Sequence, residues 1–205
     1  DGTPDPRIGD DLLGLRFGDA VPPASSLANY VSLAGIPDDP RDVTLPPGRY
    51  RVSATRGLEW SVEQTEVAIR ADEDVPLTIG VPRRVLETPG WILADLHVHA
   101  GGSFDSTLPY ADRVRSFVAQ GGEVLVSTEH DNVVDYRPLV ARMGLADVVH
   151  VIPGLEVTSI SRTEVAPHTA GHANALPLEP IPWAHRGGAL RSQGVRLRDA
   201  IAELR

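Results

Sequence analysis

Near Pro89-Gly90 the hydrophobic pattern changes period, and that change decides which architectures are open to the chain. After it, Trp91–Val98 is a short apolar run ending in His, the pattern of a strand. Leu108–Gln120 has helical spacing, with Tyr110, Val114, Phe117 and Val118 on one stripe and Gly121-Gly122 as the stop. Glu123–Thr128 reads as a buried strand, and Asp135–Met143 as a helix with Pro138 in its first turn and Gly144 as its cap. Val148–Ile152 is a third buried strand, and Leu197–Leu204 starts another helix. Strand and helix thus alternate at about 25–30 residues per unit, which argues for parallel β/α architecture with right-handed crossovers. The fold class expected is α/β, a partial, distorted β/α barrel.

Upstream, residues 1–40 are rich in Pro, Gly and Asp and read as loops with a strand or two. From Asp42 the texture differs. Arg49–Ala54 and Glu59–Ile69 alternate, Val75–Val81 is a third candidate strand, and Gly and Pro punctuate between them. This predicts a small antiparallel, β-sandwich-like leader. The phrase Leu45-Pro46-Pro47-Gly48-Arg49-Tyr50 resembles a turn feeding a strand in carboxypeptidase-regulatory-like domains, which implies a structural accessory module. The expected division is therefore 1–88, a β-rich accessory domain, and 89–205. A complete β/α barrel needs about 200–250 residues, so 89–205 is expected to be the N-terminal part of one, truncated at its C-terminus.

Composition removes several function classes. The net charge of −9 argues against a partner such as nucleic acid, which needs basic surface. No run approaches the roughly 18 apolar residues of a membrane-spanning helix, so no membrane insertion is expected. There is no cysteine, which excludes disulfides and thiolate metal sites. All 19 basic residues are arginine, which excludes lysine Schiff bases, a carbamylated-lysine metal bridge and a Walker-type phosphate loop. Any metal must be held by His, Asp, Glu or backbone oxygen. The chain opens at Asp1, as a mature form or an excised piece would, and a periplasmic or secreted location is favoured over a cytoplasmic one.

The densest chemistry lies at the ends of the predicted strands. In Asp95-Leu96-His97-Val98-His99, alternation puts Asp95, His97 and His99 on one face, and two imidazoles about 6.5–7 Å apart along a strand can converge on one divalent ion. The pair sits at the C-terminal end of the first β/α strand, where such folds place their sites. Gly101-Gly102-Ser103-Phe104-Asp105 permits a tight turn over an ion, with Asp105 either returning a hard oxygen ligand or capping the next helix. The second strand ends Ser127-Thr128-Glu129-His130-Asp131-Asn132, a polar cluster costly to pack unless a cation offsets it. There His130 is the preferred ligand, and Glu129 is expected to orient a neighbouring imidazole. Glu156, at another strand's C-terminal end, is a candidate metal-bridging carboxylate, and His172 is a further ligand. His150 reads as a mid-strand core histidine, while His168 and His185 lie in loops away from the site.

Taken in order, Asp-Leu-His97-Val-His99, Ser103 and Asp105, Thr-Glu-His130-Asp, Gly-Leu-Glu156 and Gly-His172 resemble the PHP (polymerase and histidinol phosphatase) superfamily. The likeness covers about residues 88–178 and is strongest to the CehA/McbA-like branch, where a Gly-His-x-Asn phrase is typical. The resemblance implies a distorted seven-stranded β/α barrel holding two or three divalent metals, commonly zinc, manganese or iron. It implies His97 and His99 on one ion, Asp105 and His130 on neighbours, Glu156 as a bridge and His172 as a further ligand. Two departures stand out. Glu129 replaces the usual Asp of a Thr-Asp-His motif, and later motifs, a His-Pro strand end and an Asp-x-His, are absent before Arg205. At least three expected ligands are then missing, so weak metal binding and slow turnover are expected.

The implied activity is hydrolysis of a small-molecule substrate by metal-activated water, with a phosphoester favoured over a carboxyl ester or carbamate. The rivals are an amidohydrolase barrel, which also opens with His-x-His but carries its bridging group later, and a degenerate PHP module that binds without activity.

Overall fold

The computed structural model describes residues 45–168 and 171–203, so the loops expected over 1–40 lie outside it. Two compact units divide the described residues. One takes 45–92 with Arg115–Gly121, and the other takes Leu93–Val114 with 122–203.

In the first unit, β1 (Gly48–Ala54) pairs antiparallel with β2 (Glu63–Ile69). The alternation read from the sequence is realised. Tyr50, Val52 and Ala54 lie opposite Val67, Thr65 and Glu63 on a half-buried face, and on β1–β2 Glu66 pairs with Arg49 at 3.3 Å. Val75–Val81 is not a strand. Pro76 cannot donate to a ladder, and Leu77 stays 45% exposed, so this run has neither the donor nor the buried face a strand needs. Among the described residues this unit therefore holds one two-stranded sheet, not the two facing sheets of a sandwich.

The second unit is α/β. Strands β3 (Ala94–Val98), β4 (Val124–Ser127) and β5 (His150–Pro153) form a parallel sheet in that order. Helix α1 (Tyr110–Ala119) follows β3, and α2 (Arg137–Arg142), with Pro in its first turn, follows β4. Beyond β5 come β6 (Leu155–Ser159) and β7 (Gly171–Ala175), an antiparallel pair, then a 3-10 turn over His185–Gly188 and α3 (Leu197–Glu203). Leu125, Val126, Val114 and Tyr136 are almost fully buried at the sheet. A second cluster joins Val133, Leu155, Val157, Leu190 and Ala200 under β6. No helix among the described residues is long and apolar enough to cross a membrane.

Three local expectations change. His150 opens β5 and is exposed, so it is no core histidine. Glu156 is the second residue of β6 and not a strand-end residue, while His172 lies on a strand, β7. The three sheets remain separate among the described residues, and no barrel closes.

Candidate metal centre

Two non-local devices gather the site. The first is a bulge. Asp95 pairs with Leu125, but Val98 pairs with Ser127, so β3 carries one extra residue between them. Strict alternation is broken there, and the Asp95 carboxylate turns back to accept the His97 N–H at 3.0 Å. The His97 and His99 rings come to 4.9 Å between centroids. The second device is a parallel bridge between His130 and Glu156, which prolongs β4 beside β6. On the far side of β6, Thr158 opposes His172, and Asn174 Nδ2 of β7 reaches Leu96 O at 3.5 Å. The β6–β7 hairpin thereby lies over the C-terminal ends of β3 and β4.

Glu156, 4% exposed at its side chain, is the hub. Its Oε2 lies 2.9 Å from Nε2 of His97, 2.9 Å from Nε2 of His99 and 3.4 Å from Nδ1 of His130. Its Oε1 lies 2.6 Å from Nδ1 of His172. Asp105 approaches from the β3–α1 loop, with Oδ1 3.5 Å from Nδ1 of His99 and Oδ2 3.3 Å from Nε2 of His130. Its carboxylate faces imidazoles and not a helix end, since α1 begins only at Tyr110. Three overlapping sets have all donors within 4.8 Å of one another: His97, His99 and Glu156; His99, Asp105 and His130; His130, Glu156 and His172. Each set could hold a metal ion. All six residues singled out as ligands in the sequence thus meet in one place.

Glu129 stands behind the imidazoles, one hydroxyl removed from His99. It is fully buried and contacts no imidazole directly in the hydrogen-bond network of the site. The Ala100 N–H donates to both of its oxygens at 3.1 Å, Ser103 Oγ donates to Oε2 at 2.6 Å, and the Tyr136 hydroxyl donates to Oε1. Orientation of the ring passes through Ser103, because the carboxylate side chain is shielded from the imidazoles by that hydroxyl. Ser103 has one proton and gives it to Glu129, so it must accept from His130 N–H at 3.0 Å and from Nδ1–H of His99 at 2.9 Å. The neutral His99 ring is then the Nδ1–H tautomer, and its Nε2 lone pair faces Glu156 Oε2.

Two lone pairs at 2.9 Å repel unless a cation lies between them. Protonating His99 is the poor solution. Burial lowers its pKa, His130 and His97 oppose a further charge, and Asp105 and Glu156 only partly compensate. For Glu156, burial works to raise the pKa, but hydrogen bonds from His97 and His172 and the proximity of His130 outweigh it, and the carboxyl titrates below its ordinary range. A divalent ion suits this donor set. Nitrogen and oxygen ligands at about 2.05 Å from a tetrahedral ion stand about 3.3 Å apart; the contacts of Glu156 Oε2 and of Asp105, at 2.9 to 3.5 Å, bracket that value, while the His172–Glu156 contact at 2.6 Å has the length of a direct hydrogen bond. The candidate ligands are imidazoles and carboxylates, with no thiolate.

Comparison with protein-family models, curated proteins and solved structures found no match.

Several contributors lie outside the expected set. Thr158 Oγ1 is 2.5 Å from Nδ1 of His130, and Phe104 stacks on the His130 ring at 4.3 Å. Asp131 adopts φ 47° and accepts the Thr158 N–H at 2.9 Å, which ties the segment after His130 to β6. Gly102 serves the carboxylate and not an ion, since a Cβ there would lie 3.0 Å from Cγ of Glu129 and 2.6 Å from the Tyr110 hydroxyl. Ser103 and Asp131 were visible only as neighbours of ligands, and Tyr136 and Thr158 carried no local signal. A cleft of about 260 Å³ opens beside His130, lined by Gly102, Ser103, Phe104, Asp131, Asn132 and Arg186. His168 and His185 are exposed.

Proposed function

We propose that the second unit is the metal-binding part of a PHP-type hydrolase that holds two or three divalent cations and cleaves a small phosphoester. The observation that carries the reading is the buried Glu156 carboxylate faced by nitrogens of His97, His99, His130 and His172, with the His99 lone pair turned toward it by Ser103. His97, His99 and Glu156 would hold one ion, and Asp105, His130 and His172 would complete its neighbours. Such ions would supply Lewis acidity and lower the pKa of a bound water to near 7.

The chain's own residues prepare the site for that chemistry. Ser103 and Glu129 fix one tautomer of His99, so its Nε2 is always available as a donor. Thr158 and Phe104 hold the His130 ring in place from two sides. Asp105, Glu129, Asp131 and Glu156 give the region a negative formal charge that favours divalent cations over an empty state. The cleft of about 260 Å³ has room for a small group beside His130.

The test is metal analysis of the purified chain together with a screen of paired phosphoester and carboxyl-ester substrates. The reading expects about two bound ions per chain, phosphoester turnover, and loss of both in Glu156→Gln. Carboxyl-ester turnover alone would move the electrophile to carbon, and stoichiometric metal without turnover would mark a binding module. A chain that takes up no divalent ion would end the hydrolase reading.

A further inference from the structure

The 3-10 turn over His185–Gly188 brings a cation to a cleft in which Asp131 is the one acid among the described residues. Arg186 lines the same cleft as His130, Phe104, Asp131 and Asn132. Its backbone is left-handed, at φ 50° and ψ 40°, and Gly187 follows at φ 66°. An arginine seldom adopts that conformation unless its surroundings impose it. Here they do. The Arg186 carbonyl accepts the Val133 N–H at 3.0 Å and the Ala189 N–H at 3.1 Å, while the Gly187 carbonyl accepts from Ile181 N–H at 2.9 Å. Gly187 is pressed so closely on Val133 that a Cβ would lie 2.0 Å from its carbonyl oxygen. The turn is therefore pinned to the segment that begins with His130, and Arg186 is carried to the cleft by a fixed backbone.

Its side chain is left free for another task. The exposed Arg186 guanidinium has no ion-pair or hydrogen-bond partner among the described residues; the same holds for Arg70, Arg142 and Arg191, but of these four only Arg186 lines the cleft beside His130. Asp131, its neighbour in the cleft, already accepts the Thr158 N–H through Oδ1. An exposed guanidinium held at a cleft by a fixed backbone can take up an anion there. Its planar fork matches two oxygens of a phosphate, which a neutral ester or carbamate does not offer.

We infer that Arg186 is the anion-recognition residue of this cleft, and that it selects a negatively charged phosphoester by gripping the non-bridging phosphate oxygens. The inference rests on the hydrolase reading for the reaction but not for the binding, which can be measured by itself. The probe is inorganic phosphate, titrated calorimetrically into the full chain with and without zinc, for wild type, Arg186→Gln and Arg186→Lys. The Gln variant keeps length without charge, and the Lys variant keeps charge without the fork.

The expected result is phosphate binding weakened about tenfold or more in R186Q and to a lesser degree in R186K. Zinc stoichiometry should stay equal in all three proteins, because the Arg186 side chain makes no hydrogen bond or ion pair with any candidate ligand among the described residues. Should the wild type take up no zinc, the hydrolase reading fails, yet an R186Q-sensitive affinity for phosphate in the metal-free chain would still uphold Arg186. Phosphate binding that is equal in wild type and R186Q, or absent from the wild type in both conditions, overturns the assignment whatever the metal content.

Discussion

Ser103 uses every hydrogen-bonding position of its hydroxyl within the site, giving its proton to Glu129 and accepting from His99 and from the His130 backbone. Ser103→Ala would leave His99 free to exchange tautomers and take one donor from a fully buried carboxylate. Divalent-ion affinity should fall about 10–100-fold, measured by competition with a chelator. Stability in urea should fall by about 1–3 kcal/mol. Affinity within twofold of wild type would show that the hydroxyl does not orient the ring. Tyr136 supports the other oxygen of Glu129, and burial first, then the charge of Glu129 and the hydrogen bond to it, raise the phenol above its ordinary 10.0. Above that pH the unfolded chain releases the phenolic proton while the folded chain keeps it, so the unfolded state binds fewer protons and stability falls as pH rises. The urea midpoint of the wild type should therefore drop between about pH 9 and about pH 11, and drop less in Tyr136→Phe. Equal slopes in the two proteins would remove Tyr136 from this account.

At the scale of elements, the site depends on where strands stop being regular. Past the bulge in β3 the His97 and His99 rings lie side by side, and the loop from Gly101 to Asp105 then folds back so that Ser103 and Asp105 both reach the His99 ring. That return needs a bare backbone at Gly102 and not at its neighbour. A Cβ at Gly102 would press on Tyr110 and Glu129, whereas one at Gly101 would meet only Leu108 O at 3.4 Å. Gly102→Ala should cost about 1–3 kcal/mol through overpacking, and Gly101→Ala clearly less. Thermal unfolding of the two variants side by side checks this, and equal losses would mean that the loop relaxes freely around Glu129.

For the whole molecule, the consequence of a cation site in one unit is selective protection. The candidate ligands come from β3, the loop after it, the end of β4, β6 and β7, all within the second unit. A zinc or manganese concentration of about 100 times the dissociation constant should stabilise that unit by about 2.7 kcal/mol. Hydrogen exchange would then slow at β4 and β6 amides and stay unchanged in the β1–β2 hairpin. Uniform slowing, or none, would contradict a site confined to the second unit.

The sequence by itself determined which side chains could carry the chemistry. Imidazoles and carboxylates are costly beside apolar runs, which marks His97, His99, His130, Glu156 and His172, while the Gly101-Gly102 turn marks Asp105. It also determined the β3–α1–β4–α2–β5 succession to within a few residues, since periods of 2 and 3.6 are local properties of the chain. Tertiary structure alone decided the rest. The β3 bulge, the β6–β7 hairpin, the path from Glu129 through Ser103 to His99 and the seat of Arg186 all join segments far apart in sequence. Their geometry is set by packing and by the pairing of buried polar groups, and neither leaves a periodic trace for a reader of one chain. For the same reason Val75–Val81 failed as a strand. It is apolar enough for a strand, but pairing requires a partner edge and a full set of donors, which Pro76 denies it.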